Sequence, residues 1–340
     1  MSNKDEFQKV LQIVHPDEYP SDKKFDDTYI KKFNNVRQIM YIVLFAGSFY
    51  LLQEGRIIPD SYWLRMVDSI AIIIFGYMYL GQRKIIKREL NGYIFRECRP
   101  DIAVSRYLSF VSSIIKKQVA WSFVHYNFGV ALYRQGRIEK ANAFLGLMQD
   151  SCKTANNMLL AVHLKLLIAL YYRDYDMVIA CANEAEILYR KSLHRGWYKK
   201  IYGDIQRAGI YANCCKNNDY QQVLSVLKDV NERPVDEVAR QYYLYLAVKE
   251  MHDFEEIENY RDYVRRNAGT TWYGQAVEAN FVSEEKPVNY PGFNVSFEKI
   301  SNPDKVDRTK NFSCILFSCH PIVLKIISAK GRTIMQSIHR

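Results

Sequence analysis

Histidine is the side chain best suited to proton transfer and metal binding near neutral pH, and this sequence holds seven of them. They are scattered over the whole chain, at positions 15, 125, 163, 194, 252, 320 and 339. A zinc site of the common type needs histidines or cysteines paired at short spacing, and the sequence has no such arrangement. We therefore expect no metal site, and a packing or solvated role for most histidines.

The seven cysteines form an odd set without a CxxC pair, at positions 98, 152, 181, 214, 215, 314 and 319. Most of them lie within apolar helical patterns, where a free cysteine behaves as a small hydrophobic residue. We expect a reducing compartment; a disulfide framework is the alternative. Of the adjacent Cys214 and Cys215, one is expected to be buried and the other outside the core, where it could be reactive.

Short motifs that indicate catalysis are missing from the sequence. It has no phosphate loop with GKS or GKT, no GxGxxG, no HExxH, no GxSxG and no DxDxDG calcium loop. Carboxylates cluster at Glu184 and Glu186, and again at Glu255, Glu256 and Glu258. Their helical context favours a solvated face over acid–base chemistry. The expectation is no enzymatic activity and no cofactor.

Two apolar runs near the start of the chain, 36–53 and 63–81, predict helices that cross a membrane. Each approaches the roughly 20 residues that span a bilayer. Tyr62 and Trp63 suit an aromatic belt at the membrane interface. Gly55 and Pro59, between the runs, favour a tight turn. The alternative is a buried helical hairpin of a soluble domain.

Basic residues flank this hairpin on one side. Those before or at the start of the first run are Lys23, Lys24, Lys31, Lys32 and Arg37, and those after the second are Arg83, Lys84, Lys87 and Arg88. The connecting loop carries only Arg56. Because basic flanks stay on the cytoplasmic side, both termini are predicted to be cytoplasmic. We expect the bacterial inner membrane, with an organellar outer membrane as the alternative, and no cleavable signal peptide.

From 82 to 282 the apolar periodicity is helical almost throughout, and one frame recurs within it. In each copy a short polar turn precedes an aromatic or aliphatic residue that leads a helix: Ile138, Tyr175, Tyr220 and Phe254. The turns are 135–137, 173–174, 217–219 and 252–253. The clearest copy, 121–149, has Gly129, Gly136 and Ala141 where helices bend or pack closely.

This copy resembles the tetratricopeptide repeat, in which a bend glycine separates two helices and an alanine marks their crossing. The segment 101–116 is a candidate for an earlier copy. The resemblance implies an all-α solenoid in which each helix pair buries its apolar face against the next. The weaker copies lack the small residues, so their helices are expected to pack farther apart.

The resemblance also implies a concave groove lined by the first helix of each pair. The residues projected onto it are Phe123, Tyr126, Val130, Tyr133, Arg134, His163, Leu167, Tyr171, Tyr242, Leu246 and Lys249. His125 falls at a similar position. Aromatic and aliphatic side chains with a few cations suit a peptide better than a small metabolite. The alternative is that the chain's own tail fills part of the groove.

The net charge of +10 permits an acidic partner, but lysine and arginine interleave with acidic residues along the repeats. No sustained basic stripe forms, so nucleic acid is not expected. The last segment, 283–340, has little periodicity at first and then an apolar run, 314–328, broken by Pro321. We expect it to be partly disordered, with the run packed on the last repeat or at an interface; a third membrane helix is the alternative.

The sequence thus predicts an all-α chain in four parts: a cytoplasmic N-terminal segment (1–35), a transmembrane hairpin (36–81), an irregular tetratricopeptide-like solenoid (82–282) and a tail (283–340). The expected function is a membrane-anchored adaptor or scaffold that binds a protein or peptide partner at the cytoplasmic face. The alternative is a membrane-protein assembly factor whose hairpin is the recognition element.

Overall fold

The computed structural model describes residues 2–53, 62–115, 119–192 and 196–278. Within these ranges all the regular secondary structure is helical, which confirms the all-α prediction. The connecting loop at 54–61 and the tail at 283–340 lie outside the described residues.

The helices follow one another along the chain with short connections. They are α1 (Asn3–Val14), α2 (Lys23–Phe25), α3 (Lys31–Gln53), α4 (Tyr62–Phe95), α5 (Pro100–Ile114), α6 (Trp121–Arg134), α7 (Ile138–Ser151), α8 (Ala155–Tyr171), α9 (Tyr175–Arg190), α10 (Gly196–Lys216), α11 (Tyr220–Val226), α12 (Pro234–Glu250), α13 (Phe254–Asn267) and α14 (Trp272–Glu278). A 3-10 turn covers Pro16–Glu18, and a π-helical turn covers Asp26–Ile30.

The described residues divide into two compact units. The repeat unit comprises 2–21, 90–111 and the described residues from 120 to 278. The hairpin unit comprises 22–53, 62–89, 112–115 and 119. Both predicted apolar runs fall in the hairpin unit, although α4 continues to Phe95, beyond the predicted end at 81.

The hairpin unit buries one side of α3 and α4 and exposes another. Phe33 on α3 stacks on Tyr79 of α4, with ring centroids 5.8 Å apart. By contrast, the apolar side chains of Phe45 and Ile73 are 75% and 69% exposed. Within the ranges that the structure describes, no helix combines the length and the apolar character needed to cross a membrane. Within the two predicted runs, the side chains of 44, 47–53, 63–66, 68, 69 and 72 are not among those described.

The repeat unit is built from successive helix pairs, α6/α7, α8/α9, α10/α11 and α12/α13. The second helices begin at Ile138, Tyr175, Tyr220 and Phe254, the four residues that the sequence frame predicts as helix leaders. Each second helix packs against its own first helix, and α7, α9 and α11 also pack against the first helix of the following pair. This nearest-neighbour packing is that of a helical repeat.

Each turn between paired helices contains a residue with left-handed backbone. These residues are Gly136, Arg173, Asn218 and His252, with φ between 54° and 80°. In three of the turns an aspartate follows and caps the second helix, its side chain accepting a hydrogen bond from a backbone amide three residues on: Asp174, Asp219 and Asp253. Capping satisfies an amide that would otherwise have no partner at the helix start.

The N-terminal helix α1 packs on the first pair through α7. Val10 and Val14 are fully buried. Trp121 Nε1 donates a hydrogen bond to Asn3 Oδ1 at 3.0 Å, and Lys140 Nζ donates one to the Val14 carbonyl at 3.1 Å. The segment 2–21 is therefore part of the repeat unit and not a separate extension.

Candidate functional site

The first helices α6, α8 and α10 pack side by side. The face that the sequence projects as a groove on these helices and on α12 is here called the inner groove. One part of the inner groove is filled by the chain's own helix α14. The indole of Trp272 meets three groove tyrosines edge to face, with centroid distances of 4.8 Å to Tyr171, 5.1 Å to Tyr242 and 6.1 Å to Tyr133. The short helix α14 thus places an aromatic side chain among residues projected to bind a partner.

The next residue of α14, Tyr273, completes a buried polar cluster. Arg134 Nη1 donates a hydrogen bond to the Tyr273 hydroxyl at 2.8 Å, and the Tyr133 hydroxyl lies 3.3 Å from the same oxygen. Arg134 Nη2 also reaches Asp236 Oδ1 at 3.4 Å. Burial alone would lower the pKa of Arg134, but Tyr273 and Asp236 more than offset it, so the guanidinium stays charged.

The turn that leads into α14 is held at the start of α5. The backbone amide of Thr270 donates to the Cys98 carbonyl at 2.9 Å, and its hydroxyl donates to Asp101 Oδ1 at 2.5 Å. Gly269, with φ of 57°, lies too close to the Cys98 backbone to allow a Cβ atom. The last described helix is therefore fixed to the beginning of the repeat unit as well as to its end.

At the other end of the first helices, a second aromatic cluster surrounds Trp197 on α10. Its ring stacks on Phe123 at 5.6 Å and meets Tyr126 edge to face at 5.9 Å. The Tyr126 hydroxyl forms a hydrogen bond with His163 Nδ1 at 2.7 Å. Burial lowers the pKa of His163 to about 4, so its ring is neutral at pH 7. Trp197 itself remains 41% exposed.

A shallow, open depression of about 450 Å³ on the first three turns of α10, lined by residues of this helix alone, is here called the α10 cleft. Its lining residues are Gly196, Lys199, Lys200, Gly203, Asp204 and Arg207. Asp204 accepts a hydrogen bond from Arg207 at 2.6 Å and lies 3.9 Å from Arg233 Nη2. The carboxylate is thus engaged by two cations, while the two lysines are exposed.

The structure brings the projected groove residues into two groups. One group, which surrounds α14, is Tyr133, Arg134, Tyr171 and Tyr242. In the other, Phe123 and Tyr126 contact Trp197, and His163 is hydrogen-bonded to Tyr126. Val130, Leu167 and Leu246 are buried apolar residues, and Lys249 is exposed. Whether a partner contacts these residues stays a prediction.

His125, projected near the groove, is fully buried beneath α1, with Nε2 3.5 Å from a carboxylate oxygen of Glu6. Burial lowers the pKa of His125 to about 4, so the contact with Glu6 is not an ion pair at pH 7. The four-residue spacing of Val10 and Val14 in the sequence predicts the helix α1. It does not show that α1 packs over His125.

Sequence reasoning missed Trp197, Trp272, Tyr273 and Asp236. The available sign of a further helix was the pair Trp272 and Tyr273, which follows a turn at 269–271. Seven residues are too few to show helical periodicity in the sequence.

The described cysteines, Cys98, Cys152, Cys181, Cys214 and Cys215, are all free and buried. Burial raises the pKa of Cys98 to about 11 and that of Cys181 to about 12. The prediction that Cys214 and Cys215 differ in burial is wrong, because α10 packs against α8, α9 and α11 and so has two covered faces. No cluster of three or more potential metal ligands occurs in the part of the chain that the structure describes.

Comparison with known proteins gave no match: no family model, no curated protein and no solved structure is similar to this chain.

Proposed function

We propose that this chain is a membrane-attached adaptor whose repeat unit, of the tetratricopeptide-like kind, binds a segment of a protein partner along the inner groove. The observation that carries the proposal is the seating of α14. A seven-residue helix inserts Trp272 and Tyr273 among aromatic groove residues, and a helix in a groove is a recurring way for proteins to bind peptides. The groove chemistry therefore suits aromatic side chains presented by a short segment.

The second cluster supplies room for a partner that α14 leaves uncovered. Trp197 is part-exposed beside Phe123, and the α10 cleft begins next to it in sequence. Tryptophan and arginine, here Trp197 and Arg207, are enriched where proteins bind one another. A partner segment would lie against Trp197 and extend along α10.

Site-specific photo-crosslinking tests the proposal. A photoreactive phenylalanine analogue replaces Trp197 in the full chain, in cells that normally produce it, and the matched control carries the same analogue at Ile187. Ile187 is 44% exposed on the second helix α9 and is not among the residues projected onto the groove. We expect a distinct protein adduct from position 197 alone. Identical adducts from both positions, or none from either, would contradict the proposal.

Membrane attachment is supported by the hairpin unit. Ile42, Phe45, Ile73 and Tyr77 expose most of their apolar surface, whereas isolated exposed hydrophobic residues are the norm for a soluble surface. Within this unit, basic residues lie at the outer ends of both apolar runs. After an alkaline carbonate wash, we expect the full chain to remain with the membrane fraction and a variant lacking 36–81 to be released. Release of both would refute attachment through this unit.

The same exposed surface also favours a second candidate, in which the hairpin unit recognises another membrane protein. Exchanging 36–81 for an unrelated hairpin distinguishes the two roles. An adaptor that uses the hairpin only as an anchor keeps its function after the exchange, and an assembly factor loses it.

A further inference from the structure

The α10 cleft has an excess of positive charge that no described carboxylate offsets. Lys199 and Lys200 form no ion pair with any residue in the described ranges, and Arg207 shares Asp204 with Arg233. Arg233 itself is paired with Asp236. The single acidic residue of the cleft is therefore already occupied, and two ammonium groups remain for an external anion.

Two glycines in the cleft have no packing explanation within the described structure. A Cβ atom at Gly196 or Gly203 would meet nothing within 4 Å, in contrast to Gly129 and Gly209, which lie against Leu164 and Ala182. Glycine in a helix interior, as at Gly203, is less favourable than alanine. A ligand that approaches the α10 backbone closely gives these open glycines a role.

The dimensions and surroundings of the cleft favour a peptide over an isolated anion. Lys199 and Arg207 are separated by two turns of α10, about 12 Å at a rise of about 1.5 Å per residue, which is the length of three to four extended residues. Trp197 lies one turn before Lys200 with its ring supported by Phe123. The cations along α10 suit carboxylates of a bound peptide. The Trp197 ring, at the start of the helix, suits a large apolar side chain of the same peptide.

We propose that the α10 cleft binds an acidic segment of a protein partner, with carboxylates facing Lys199, Lys200 and Arg207 and an aromatic side chain against Trp197. The inference rests on the proposed adaptor function and names the chemical class of the partner segment. Electrostatic complementarity of this kind sets which partner binds and how fast it associates.

The test uses the full chain in detergent micelles and a fluorescent ten-residue peptide containing the sequence Glu-Phe-Asp-Glu. The matched peptide has Gln and Asn in place of the carboxylates. We expect the amide peptide to bind at least about tenfold more weakly, and the acidic peptide to lose affinity as salt is raised, because salt screens exposed charges. Equal binding of the two peptides would overturn the proposal.

Two kinds of variant connect the binding to the cleft. Lys199→Glu with Lys200→Glu is expected to weaken the acidic peptide at least about tenfold, whereas Lys153→Glu with Lys228→Glu, which makes the same charge change on exposed lysines elsewhere, is expected to change binding less than about twofold. Gly203→Leu keeps every charge but fills the cleft, so it should also weaken binding, without lowering the melting temperature. If the two charge reversals have equal effects, or if Gly203→Leu leaves binding unchanged, the α10 cleft is not the binding site of the peptide.

Other occupants of the cleft give different results. Vesicles of phosphatidylglycerol that compete with the acidic peptide, while neutral vesicles do not, would point to a lipid surface and overturn the proposal. An intramolecular adduct between a photoreactive group at Lys200 and residues 279–340 would assign the cleft to the chain's own tail.

The proposal and the adaptor function can fail separately. If the protein adduct from position 197 persists in the Lys199→Glu, Lys200→Glu variant, the acidic-segment proposal is contradicted but the adaptor function is not. If position 197 gives no adduct but the acidic peptide binds specifically, the acidic-segment proposal stands and the adaptor function is contradicted.

Discussion

The indole ring of Trp272 lies 4.8 Å, centroid to centroid, from the phenol ring of Tyr171, and the two rings meet edge to face. Tyr171 ends the first helix of the second pair, whereas Trp272 begins the last described helix. The contact therefore joins distant parts of the repeat unit, and its energy is not confined to neighbouring repeats. We expect the unit to unfold more cooperatively than a stack held together by nearest neighbours alone.

Replacement of Trp272 by alanine should destabilise the repeat unit strongly. The side chain is 4% exposed and contacts Tyr133, Tyr171 and Tyr242, so the variant loses apolar burial and leaves a cavity. The expected loss is about 3–5 kcal/mol in the free energy of unfolding, measured by urea denaturation followed by circular dichroism. Trp197→Ala, at a part-exposed position, should cost clearly less. Similar losses for both variants would show that α14 does not hold the unit together.

The turn between α6 and α7 should reject a side chain. Gly136 has φ of 80°, and a Cβ atom there would lie 2.9 Å from Trp272 Cβ. Gly136→Ala is therefore expected to cost about 2 kcal/mol, since left-handed backbone and a close contact both oppose it. Gly146→Ala is the control, because its Cβ would meet nothing within 4 Å and alanine favours the helix by about 0.5–1 kcal/mol. Thermal unfolding should move in opposite directions for the two variants.

The buried hydroxyl of Tyr273 should contribute measurably to stability. It accepts a hydrogen bond from the charged Arg134 at 2.8 Å, so Tyr273→Phe leaves that donor without its partner. A hydrogen bond to a charged group typically contributes about 1.5–3 kcal/mol, which is the expected loss. Tyr220→Phe, which removes an exposed hydrogen bond to Asn218, should change stability by less than about 0.5 kcal/mol. Equal changes would mean that the buried cluster adds nothing beyond a surface contact.

Stability should fall as the pH is lowered from about 6.5 to about 4. Burial lowers the pKa of His125 to about 4 in the folded chain, against about 6.5 for a histidine in the unfolded chain. The unfolded chain therefore binds more protons in this range, and stability that is complete above pH 6.5 is lost on acidification. The contribution of His125 is up to about 3 kcal/mol.

His125→Phe isolates this effect. The variant should lose part of the pH dependence between pH 6.5 and 4, the remainder coming from His163 and the acidic groups. Tyr220→Phe, which removes no group that titrates between pH 6.5 and 4, should keep the wild-type slope. A slope that is the same for His125→Phe and wild type would show that His125 is accessible to protons in the folded state.

The repeat frame could be predicted from sequence because its signals are local. A polar turn, a capping aspartate and a following apolar residue mark Tyr175, Tyr220 and Phe254 as helix starts without reference to the rest of the fold. The expectation that weaker copies lack small residues for close packing does not hold for α10, since a Cβ at Gly209 would lie 2.6 Å from Ala182 Cβ.

The occupation of the groove could not be predicted in the same way. The position of Trp272 depends on α14 returning to α6 and α8, and no pattern within seven residues encodes that return. The α10 cleft is likewise a product of tertiary structure, because the lysines and glycines that line it also occur on ordinary solvated helices. Both features depend on contacts between helices that are distant in sequence, so they can be found only from the packed structure.

The most direct test of the adaptor function uses the partner, which is the protein crosslinked through position 197. The quantity measured is the fraction of this partner that is bound to the membrane. It should fall several-fold in cells that lack the chain, return when the wild-type chain is restored, and stay low when Trp197→Glu is supplied at the same level. An unchanged membrane-bound fraction in cells without the chain would contradict the account.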